Sequence, residues 1–365
     1  MPDKQESMRR YSEGLSRDLT EHGVNNTIWL PPVIFGKFAT NVHEGIGKYL
    51  TYFDKYLIAP VLLLLLRLRN VGSSVNYHIC DHSNAPYRLY LPRRRTGITC
   101  HDVLAIRGAL GYEDAYCPSS GMGVLLQKWI FSNLSKISRV ACVSQFTLNQ
   151  LLELAKPQPG YIWSVVFNTF NADFYPMKRE DALAVLEGYN LSFFDTPFIL
   201  HIGSKLARKN RSMLVKMVAE ARKFKGNLVF AGQPIDSGLS AVVQEQGLEE
   251  RVFEVIKPKH EALVALYSLC NAFVFPSFSE GFGWPIIEAQ ACGAPVITSA
   301  LNPMQEVGGQ AALYANPHDS TEFASALDLV QNQEVRERQI QAGYLNIKRF
   351  EKEEIINRFL DLYKA

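Results

Sequence analysis

The sequence contains no Cys-x-x-Cys pair and no Asp-x-Asp triplet. Its six cysteines stand singly along 365 residues, so neither a zinc site nor a dithiol redox motif is indicated. Buried, reduced thiols are the simplest interpretation. The absence of Asp-x-Asp argues against a diphosphate site that depends on a divalent cation held by paired carboxylates. We therefore expect neither a metal nor a cofactor.

Neither sign of charge predominates, because 38 basic side chains are nearly balanced by 36 acidic ones and the formal net charge is +2. The sequence pI is about 8.1. Aromatic residues do not alternate with basic ones, as they do in many nucleic-acid-binding surfaces. This balance gives no support to a nucleic acid as partner.

Long apolar runs are missing as well. The longest, residues 57–66, is interrupted by Pro60 and is shorter than the roughly 20 residues that a membrane-spanning helix needs. We interpret it as a core helix. The alternative is a surface that faces anionic lipid, since Lys48, Lys55 and the arginines at positions 67, 69 and 93–95 stand nearby. The chain opens without the charged and apolar regions of a secretory signal, which predicts a cytoplasmic protein.

A chain of 365 residues exceeds the roughly 250–300 at which a single core stops growing, so two domains are expected. Short apolar runs that are typical of buried strands alternate along it with helical patterns. That alternation predicts parallel sheets covered by helices on both faces, which is an α/β fold. The strand-like runs are residues 77–80, 97–100, 139–143, 161–167, 197–202, 228–231, 252–255, 272–275 and 295–298.

The most informative segment is residues 271–299, which combines a strand-like run, a glycine-containing loop, a helix with Pro285 near its start and a second strand-like run. In such a βαβ unit the loop lies at the carboxyl end of a parallel strand, where ligands of open α/β sheets bind. Backbone amides freed by Gly281 and Gly283, together with the helix amino end, form an anion site that suits a diphosphate.

Two carboxylates flank that loop. Glu280 lies within it and Glu288 lies in the helix, so a ligand with its phosphates at the helix tip would offer hydroxyls to both. This pairing suits a sugar nucleotide. The alternative is structural, with Glu280 a solvated loop residue and Glu288 complementing the helix dipole.

A second loop supplies positive charge. A strand-like run ends just before Gly203 and Ser204, and Lys205, Arg208 and Lys209 then precede a helical pattern. Cations at a helix amino end oppose the helix dipole, so an anionic ligand explains them better than stability does. They would neutralise the charge that develops on a departing diphosphate. The alternative is a solvated basic loop.

The segment around Glu280 resembles the donor-binding motif of retaining glycosyltransferases of the GT-B fold, in the large family that includes sucrose synthases and bacterial mannosyltransferases. The residues that carry the resemblance are Pro276, Ser277, Glu280, Gly281, Phe282, Gly283, Pro285, Glu288, Ala289, Gly293, Pro295 and Val296. It implies two doubly wound Rossmann-like domains facing a central cleft. It also implies that Glu280 contacts the donor sugar, that Glu288 binds ribose hydroxyls, and that Gly281, Phe282 and Gly283 belong to the donor site.

Residues 203–210, GSKLARKN, resemble the phosphate loop of the same family, in which an arginine and a lysine neutralise the diphosphate. Lys209 matches the family's lysine. Ser204 stands where many members have the arginine, so either Arg208 or Lys205 would replace it. The resemblance assigns Gly203, Ser204 and Lys205 to donor binding, and Arg208 and Lys209 to catalysis.

By the same resemblance, His101 approaches the donor sugar from the acceptor side, with Asp102 next to it. Both follow the strand-like run 97–100. A neutral imidazole there would position a hydroxyl or stabilise the charged sugar of the transition state. The alternative is a His–Asp pair that ties down a loop. Asp81 and His82 occupy a similar place after another strand-like run and are further candidates.

The expected division is an acceptor-side domain over residues 1–172, a nucleotide-sugar donor domain over 173–348, and a helix over 349–365 that crosses back to the first domain. No strand-like run precedes the helical pattern of residues 8–22, so the usual central first strand is missing. Either the true start lies upstream, or the first domain is reduced. The second possibility would put activity in doubt.

The resemblance implies a retaining, metal-independent transfer of a hexose, mannose or rhamnose, from a nucleoside diphosphate sugar such as GDP-mannose. The acceptor would be a saccharide or lipid-linked saccharide of a cell-surface polysaccharide such as lipopolysaccharide, with peripheral contact at the inner face of the membrane. Two alternatives stay open. One is a sugar-nucleotide epimerase or phosphorylase of the same fold, and the other is a non-catalytic subunit that binds sugar nucleotide in a polysaccharide assembly complex.

Overall fold

The computed structural model describes residues 6–38, 45–119, 121–189 and 196–364. The chain divides into two compact units. The first comprises Met1–Gly111, Ser119–Ala172 and Lys352–Ala365, and the second comprises Tyr112–Pro118 and Asp173–Glu351. The carboxyl-terminal segment thus belongs to the first unit, and a short segment from the first half of the chain belongs to the second.

Two parallel sheets are formed by the described residues. Their strands are β1 (Tyr77–Ile79), β2 (Thr96–Cys100), β3 (Arg139–Cys142), β4 (Ile162–Val165), β5 (Phe198–Gly203), β6 (Asn227–Gly232), β7 (Val252–Ile256), β8 (Ala272–Phe275), β9 (Val296–Ser299) and β10 (Ala312–Ala315). The sheet of the first unit has the order β1-β2-β3-β4, and that of the second has the order β10-β9-β8-β5-β6-β7. The predicted α/β class with parallel sheets is confirmed.

Helices follow most strands, as parallel connections require. They are α1 (Glu6–Glu21), α2 (Gly45–Phe53), α3 (Ala59–Arg69), α4 (Leu104–Ala109), α5 (Met122–Leu134), α6 (Gln145–Leu154), α7 (Arg179–Leu186), α8 (Arg211–Glu220), α9 (Ser237–Glu245), α10 (His260–Leu269), α11 (Trp284–Ala291), α12 (Met304–Gly308), α13 (Ser320–Val330), α14 (Gln333–Asn346) and α15 (Lys352–Lys364). The last of them, α15, lies in the first unit.

The core of the second unit lies between its sheet and the helices that cover it. Ile199, Phe230 and Val274 from the central strands are buried, and they belong to one apolar cluster with Leu214 of α8 and Phe323 of α13. Because both faces of the sheet are covered, these strands are continuous apolar runs instead of alternating ones. The local pattern of the sequence was therefore enough to predict them.

The order of strands in the second unit reverses at its centre. Strand β5 pairs with β6 on one side and with β8 on the other, and all of these pairs are parallel. Ligands of open α/β sheets bind outside the carboxyl ends of the strands at such a reversal. The loops that leave this position are the two that the sequence singles out, after β5 and after β8.

In the first unit, the sheet is preceded by helices. Within the described residues ahead of Tyr77 the structure places no strand, and α1 packs against the sheet instead. The Tyr11 hydroxyl of α1 lies 2.8 Å from Thr99 Oγ1 in β2. The ring of Tyr11 meets the ring of His101 edge-on, with 4.6 Å between their centroids. The interior of this unit is formed by residues such as Ile98 and Val140 of the central strands.

The apolar run at residues 57–66 belongs to a longer helical stretch. Helix α2, a single π-helical turn at Asp54–Ile58 and α3 follow one another without a break, and the stretch Tyr49–Arg69 has 21 residues. By length and composition alone it is the one helix in the described part of the chain that could cross a membrane, and 33% of its most apolar window is buried. The predicted core helix is confirmed along one side, where Ala59 and Leu63 are buried in the core of the first unit, whereas the opposite side of the stretch is exposed.

Candidate donor-binding site

The loops after β5 and β8 are held together by direct hydrogen bonds. The backbone N–H of Phe278 donates to the carbonyl of Arg208 over 2.8 Å, and the Arg208 guanidinium donates to the carbonyl of Ser279 over 2.8 Å. Asn210, whose φ is +54°, donates from its side-chain amide to the carbonyl of Pro276 over 3.2 Å, and also to that of Pro317 after β10 over 2.7 Å. These bonds fix the position of the basic loop against the acidic one.

At this junction one carboxylate holds two cations. Arg208 Nη1 lies 2.6 Å from Glu280 Oε2, and Lys209 Nζ lies 2.7 Å from Glu280 Oε1. The exposed fractions of the three side chains are 22% for Arg208, 12% for Lys209 and 9% for Glu280. The structure thus brings together the three residues that the sequence assigned to one donor site.

The charges within this cluster affect the protonation of Glu280 and Lys209. Burial opposes ionisation of Glu280, but the neighbouring Lys209 and Arg208 charges outweigh it and lower the pKa of the carboxyl. Burial lowers the pKa of Lys209, and the Glu280 carboxylate opposes that shift. Two cations and one carboxylate leave one positive charge in excess at the carboxyl ends of the strands. Such a site attracts an anion with more than one negative oxygen.

Lys209 has a second contact that does not depend on Glu280. Its Nζ lies 4.8 Å from the ring centroid of Phe275, the last residue of β8. A buried ammonium over an aromatic ring is stabilised by the ring quadrupole. Lys209 is therefore held at the site from two sides.

His201 lies under the basic loop, and the sequence analysis missed it. Its Nδ1 lies 3.0 Å from the carbonyl of Val274, which can only accept, so Nδ1 carries the proton. Burial lowers the pKa of His201 to about 3, and the ring is neutral. Its Nε2 has no hydrogen-bond partner in the described residues, and it would be 3.1 Å from a Cβ at Gly203. The only available signal was a histidine in an otherwise apolar strand.

Glu288 is held by a different partner. It lies in α11 with a relative exposure of 7%, and the hydroxyl of Tyr267 in α10 donates to its Oε2 over 3.0 Å. Burial and the nearby Glu288 carboxylate raise the pKa of Tyr267 well above its ordinary value. The contact to Tyr267 orients the Glu288 carboxylate. The structural alternative, in which Glu288 only complements the helix dipole, does not account for this contact. Sequence reasoning missed Tyr267.

We expect Tyr267→Phe to lower the free energy of unfolding by about 1.5–3 kcal/mol, because a buried carboxylate loses a donor. Thermal or urea unfolding measures the change. Tyr344→Phe is the matched control, since the Tyr344 hydroxyl makes no hydrogen bond within the described residues. Equal stability of Tyr267→Phe and the wild-type protein would contradict a role of Tyr267 in holding Glu288.

The loop from Gly281 to Gly283 contains a backbone conformation that favours glycine. Gly283 has φ +109° and is the residue immediately before α11, and a Cβ there would lie 3.3 Å from the side chain of Ile286. Gly281 is buried in the same loop. The ring of Phe282 packs against Phe350, with 5.6 Å between centroids. Of the predicted donor residues, Phe282 thus contributes its backbone to the loop while its side chain fills the interior.

The two lysines of the basic loop, Lys205 and Lys209, differ in their exposure and contacts. Lys205 is exposed, and its backbone N–H donates to the side-chain oxygen of Gln233 over 2.8 Å. It makes no ion pair in the described structure, whereas Arg208 binds Glu280. Ser204 is half-buried next to it. The geometry favours Arg208 over Lys205 as the residue that takes the place of the family's arginine.

His101 and Asp102 follow β2 in the first unit. His101 is buried, and its Nε2 lies 2.9 Å from the carbonyl of Cys80, so this nitrogen carries the proton. Burial lowers the pKa of His101, which keeps the ring neutral. Asp102 accepts from the backbone N–H of Leu104 over 3.0 Å at the start of α4. The two side chains therefore have separate partners and do not form the loop-tying pair of the structural alternative.

Asp81 has structural contacts, and His82 lies beside it, with Nδ1 3.8 Å from Asp81 Oδ1. Asp81 caps the following 3-10 helix by accepting from the N–H of Ser83 over 2.9 Å, and the Lys55 ammonium binds the Ser83 hydroxyl over 3.0 Å. Burial raises the pKa of Asp81, but the charges of Lys55 and His82 outweigh it and lower the pKa. No cluster of three or more His, Cys, Asp and Glu side chains that could hold a metal occurs in the described residues.

Residues 190–346, which include both loops, match the family model "Glycosyl transferases group 1". The chain carries a glycosyl transferases group 1 domain. This match confirms, for residues 190–346, the family that the motif around Glu280 indicated, and it identifies this part of the chain as a glycosyltransferase domain.

Two curated relatives of the chain are mannosyltransferases. The chain is 28% identical over 283 residues to O-antigen chain mannosyltransferase B of Escherichia coli, which covers 75% of this chain and 72% of that protein. It is 29% identical over 240 residues to the O-antigen chain mannosyltransferase RfbU of Salmonella typhimurium, which covers 64% of this chain and 60% of that protein.

Solved structures support the fold of the whole chain. WaaG, a glycosyltransferase involved in lipopolysaccharide biosynthesis, superposes with a TM-score of 0.66. The superposition covers 98% of this chain and 96% of WaaG at 11% sequence identity. The chain therefore has the GT-B fold that the sequence predicted.

Proposed function

We propose that this glycosyltransferase moves a hexose, mannose or a rhamnose-like sugar, from a nucleoside diphosphate to a saccharide or lipid-linked saccharide of a cell-surface polysaccharide. The observation that carries the proposal is the buried cluster in which Glu280 holds Arg208 and Lys209 at the strand reversal. The names of the relatives in Escherichia coli and Salmonella typhimurium support mannose and an O-antigen product.

The proposed reaction begins when the diphosphate takes the place of Glu280 on the two cations. Two phosphates carry more negative charge than one carboxylate, so the exchange is favourable on Coulombic grounds. Glu280 is then available to accept hydrogen bonds from hydroxyls of the donor sugar. Glu288, oriented by Tyr267, accepts from the ribose hydroxyls.

Transfer itself breaks the bond between the anomeric carbon and the diphosphate oxygen. The acceptor oxygen bonds to that carbon from the same face of the sugar, which retains the configuration, and the acceptor proton passes to the departing phosphate. Arg208 and Lys209 stabilise the charge on the leaving group, a role that oriented cations fill without a metal ion. We propose that the enzyme needs neither a metal nor a cofactor.

The acceptor side of the reaction rests on the resemblance. We propose that the neutral ring of His101 takes part in transfer as a positioning group for sugar or acceptor, with Asp102 fixing the start of α4 beside it. Its Nε2 proton is held by the Cys80 carbonyl, so the side chain cannot act there as a general acid without a change of partner.

We also propose that the enzyme works in the cytoplasm, in peripheral contact with the inner face of the membrane. A lipid-linked acceptor is confined to the bilayer surface. An enzyme that resides there meets it at a higher local concentration than one free in solution.

The experiment that tests the proposal is binding and turnover of a panel of nucleoside diphosphate sugars by the purified protein. We expect selective binding of one donor, GDP-mannose being the first candidate, and weaker binding of that donor by both Lys209→Ala and Glu288→Ala. Release of free epimerised sugar nucleotide without acceptor would indicate an epimerase. Absence of binding to any donor, by protein that unfolds cooperatively, would indicate a non-catalytic subunit.

A further inference from the structure

The helical stretch Tyr49–Arg69 presents an apolar stripe to the outside of the first unit. Large side chains recur every three or four residues on that side, so they lie on one face of the helix. The exposed members are Tyr49, Phe53, Leu57, Val61, Leu64, Leu65 and Leu68. With 21 residues the stretch is roughly 30 Å long. A contiguous apolar surface of this kind on a folded protein marks an interaction site.

The opposite side of the same stretch is anchored in the protein. Ala59 and Leu63 are buried in the core of the first unit. The Asp54 carboxylate accepts from the backbone N–H groups of Ile34 and Gly36 over 2.9 and 2.8 Å. A helix that is packed into a folded unit along one side cannot be surrounded by lipid. The stretch is therefore placed to lie along a membrane surface, and not to cross the bilayer.

Charges near the stripe are positive. Arg67 and Arg69 are exposed in the last turn of α3. The Arg95 guanidinium donates to the carbonyl of Ser73, which brings the exposed triplet Arg93–Arg95 to the same end of the helix. None of these five arginines is paired with a carboxylate in the part of the chain that the structure describes. The acid of the stretch itself, Asp54, is buried.

A neighbouring helix extends the apolar surface. The ring of Trp129 in α5 meets the ring of Tyr56 edge-on, with 5.2 Å between centroids. Met122 and Leu125 of α5 are 68% and 64% exposed. Tryptophan and tyrosine at the border of an apolar surface suit the headgroup level of a bilayer, where one end of the ring is wet and the other is not.

We infer that Tyr49–Arg69 is an in-plane docking helix for a membrane surface that contains anionic phospholipids. The stripe enters the boundary between headgroups and acyl chains, and the arginines at its carboxyl end bind headgroup phosphates. A second copy of the chain would bind this surface less well, because its own stripe carries the same unpaired arginines and offers no carboxylate to pair with them. This inference specifies the peripheral contact proposed above, and it does not depend on the transfer reaction.

Flotation of the full-length protein with vesicles tests the inference in the absence of any donor. We expect binding to vesicles of phosphatidylcholine with phosphatidylglycerol, and at least about tenfold weaker binding to phosphatidylcholine alone or in high salt. The double variant Leu57→Glu/Leu65→Glu should lose about tenfold or more in vesicle affinity, because each leucine would leave the acyl boundary. Arg67→Gln/Arg69→Gln should reduce the preference for anionic vesicles.

The matched control is Leu329→Glu/Leu345→Glu, which changes two leucines of the second unit. Their exposures of 53% and 66% are close to the 55% and 56% of Leu57 and Leu65. It should bind vesicles like the wild-type protein, and cooperative thermal unfolding reports that each variant is folded. Equal loss in both double variants, or no vesicle binding by the wild-type protein, overturns the inference.

Two further outcomes would replace the inference by a different one. A dimer seen by light scattering that the Leu57→Glu/Leu65→Glu change separates, without vesicle binding, would assign the stripe to a second copy. Protein that stays with membranes in alkaline carbonate would indicate a helix that crosses the bilayer. Donor binding without vesicle binding would leave the proposed transfer intact and remove only the docking helix.

Discussion

Replacement of Lys209 by alanine is expected to lower the rate of sugar transfer by about 100- to 1,000-fold, the cost of losing one oriented group that stabilises charge in a transition state. The Lys209 side chain is 12% exposed, and its Nζ lies 2.7 Å from Glu280 Oε1 and 4.8 Å from the ring centroid of Phe275. No neighbouring cation is positioned to replace both of its contacts in the described structure. Initial rates at saturating donor measure the effect, and donor affinity should fall in the same variant.

Lys205 is the control in the same loop. Its side chain is exposed and makes no ion pair in the described structure, so Lys205→Ala should change the rate by no more than about twofold. Arg208→Ala should resemble Lys209→Ala, because Arg208 shares the Glu280 carboxylate. If Lys205→Ala were as slow as Lys209→Ala while Arg208→Ala stayed active, the assignment of the family's arginine to Arg208 would be wrong.

The donor loops could be predicted from the sequence because their signals are local. A short apolar run, two glycines and a proline within a dozen residues predict strand, loop and helix, and a parallel sheet then brings the loops to one edge. Strand β8 was predicted at its observed bounds, Ala272–Phe275. The cations after β5 could be predicted as ligand-binding residues in the same way, because positive charges at a helix amino end do not stabilise the helix.

The contacts within the site could not be predicted, because they join residues far apart in the sequence. Glu280 and Lys209 are separated by 71 positions, and their 2.7 Å contact depends on how the two loops approach each other. The bond from Tyr267 to Glu288 depends in the same way on the packing of α10 against α11. Spacing along the chain carries no information on these distances.

Exposure of the stretch Tyr49–Arg69 was predicted only as the alternative to a core helix, for a different reason. Its sequence is apolar on nearly every side, a composition that is typical of buried helices. The structure buries Ala59 and leaves Leu57 and Val61 outside. Composition cannot distinguish a helix that is covered by protein from one whose outer face is left for another partner.

A second large effect concerns the two glutamates of the donor motif. Glu280→Gln is expected to bind nucleoside diphosphate about 5- to 10-fold more tightly than the wild-type enzyme, while transfer slows by about 100-fold or more. The carboxylate occupies Arg208 and Lys209 when the donor is absent, so the diphosphate must displace it. A neutral amide of the same shape competes less for the cations, but it cannot accept as strongly from the sugar hydroxyls. Titration calorimetry with the nucleoside diphosphate measures the affinity.

Glu288→Gln should have the opposite effect on the same measurement, weakening nucleoside diphosphate binding by about tenfold. The Glu288 carboxylate accepts from the Tyr267 hydroxyl, which orients it for a neutral hydroxyl partner. Both variants remove one negative charge from the same motif, so a general electrostatic effect would raise affinity in both. Opposite signs would assign Glu280 to the diphosphate cations and Glu288 to the nucleoside. Tighter binding in both variants would contradict a direct contact of Glu288 with the donor.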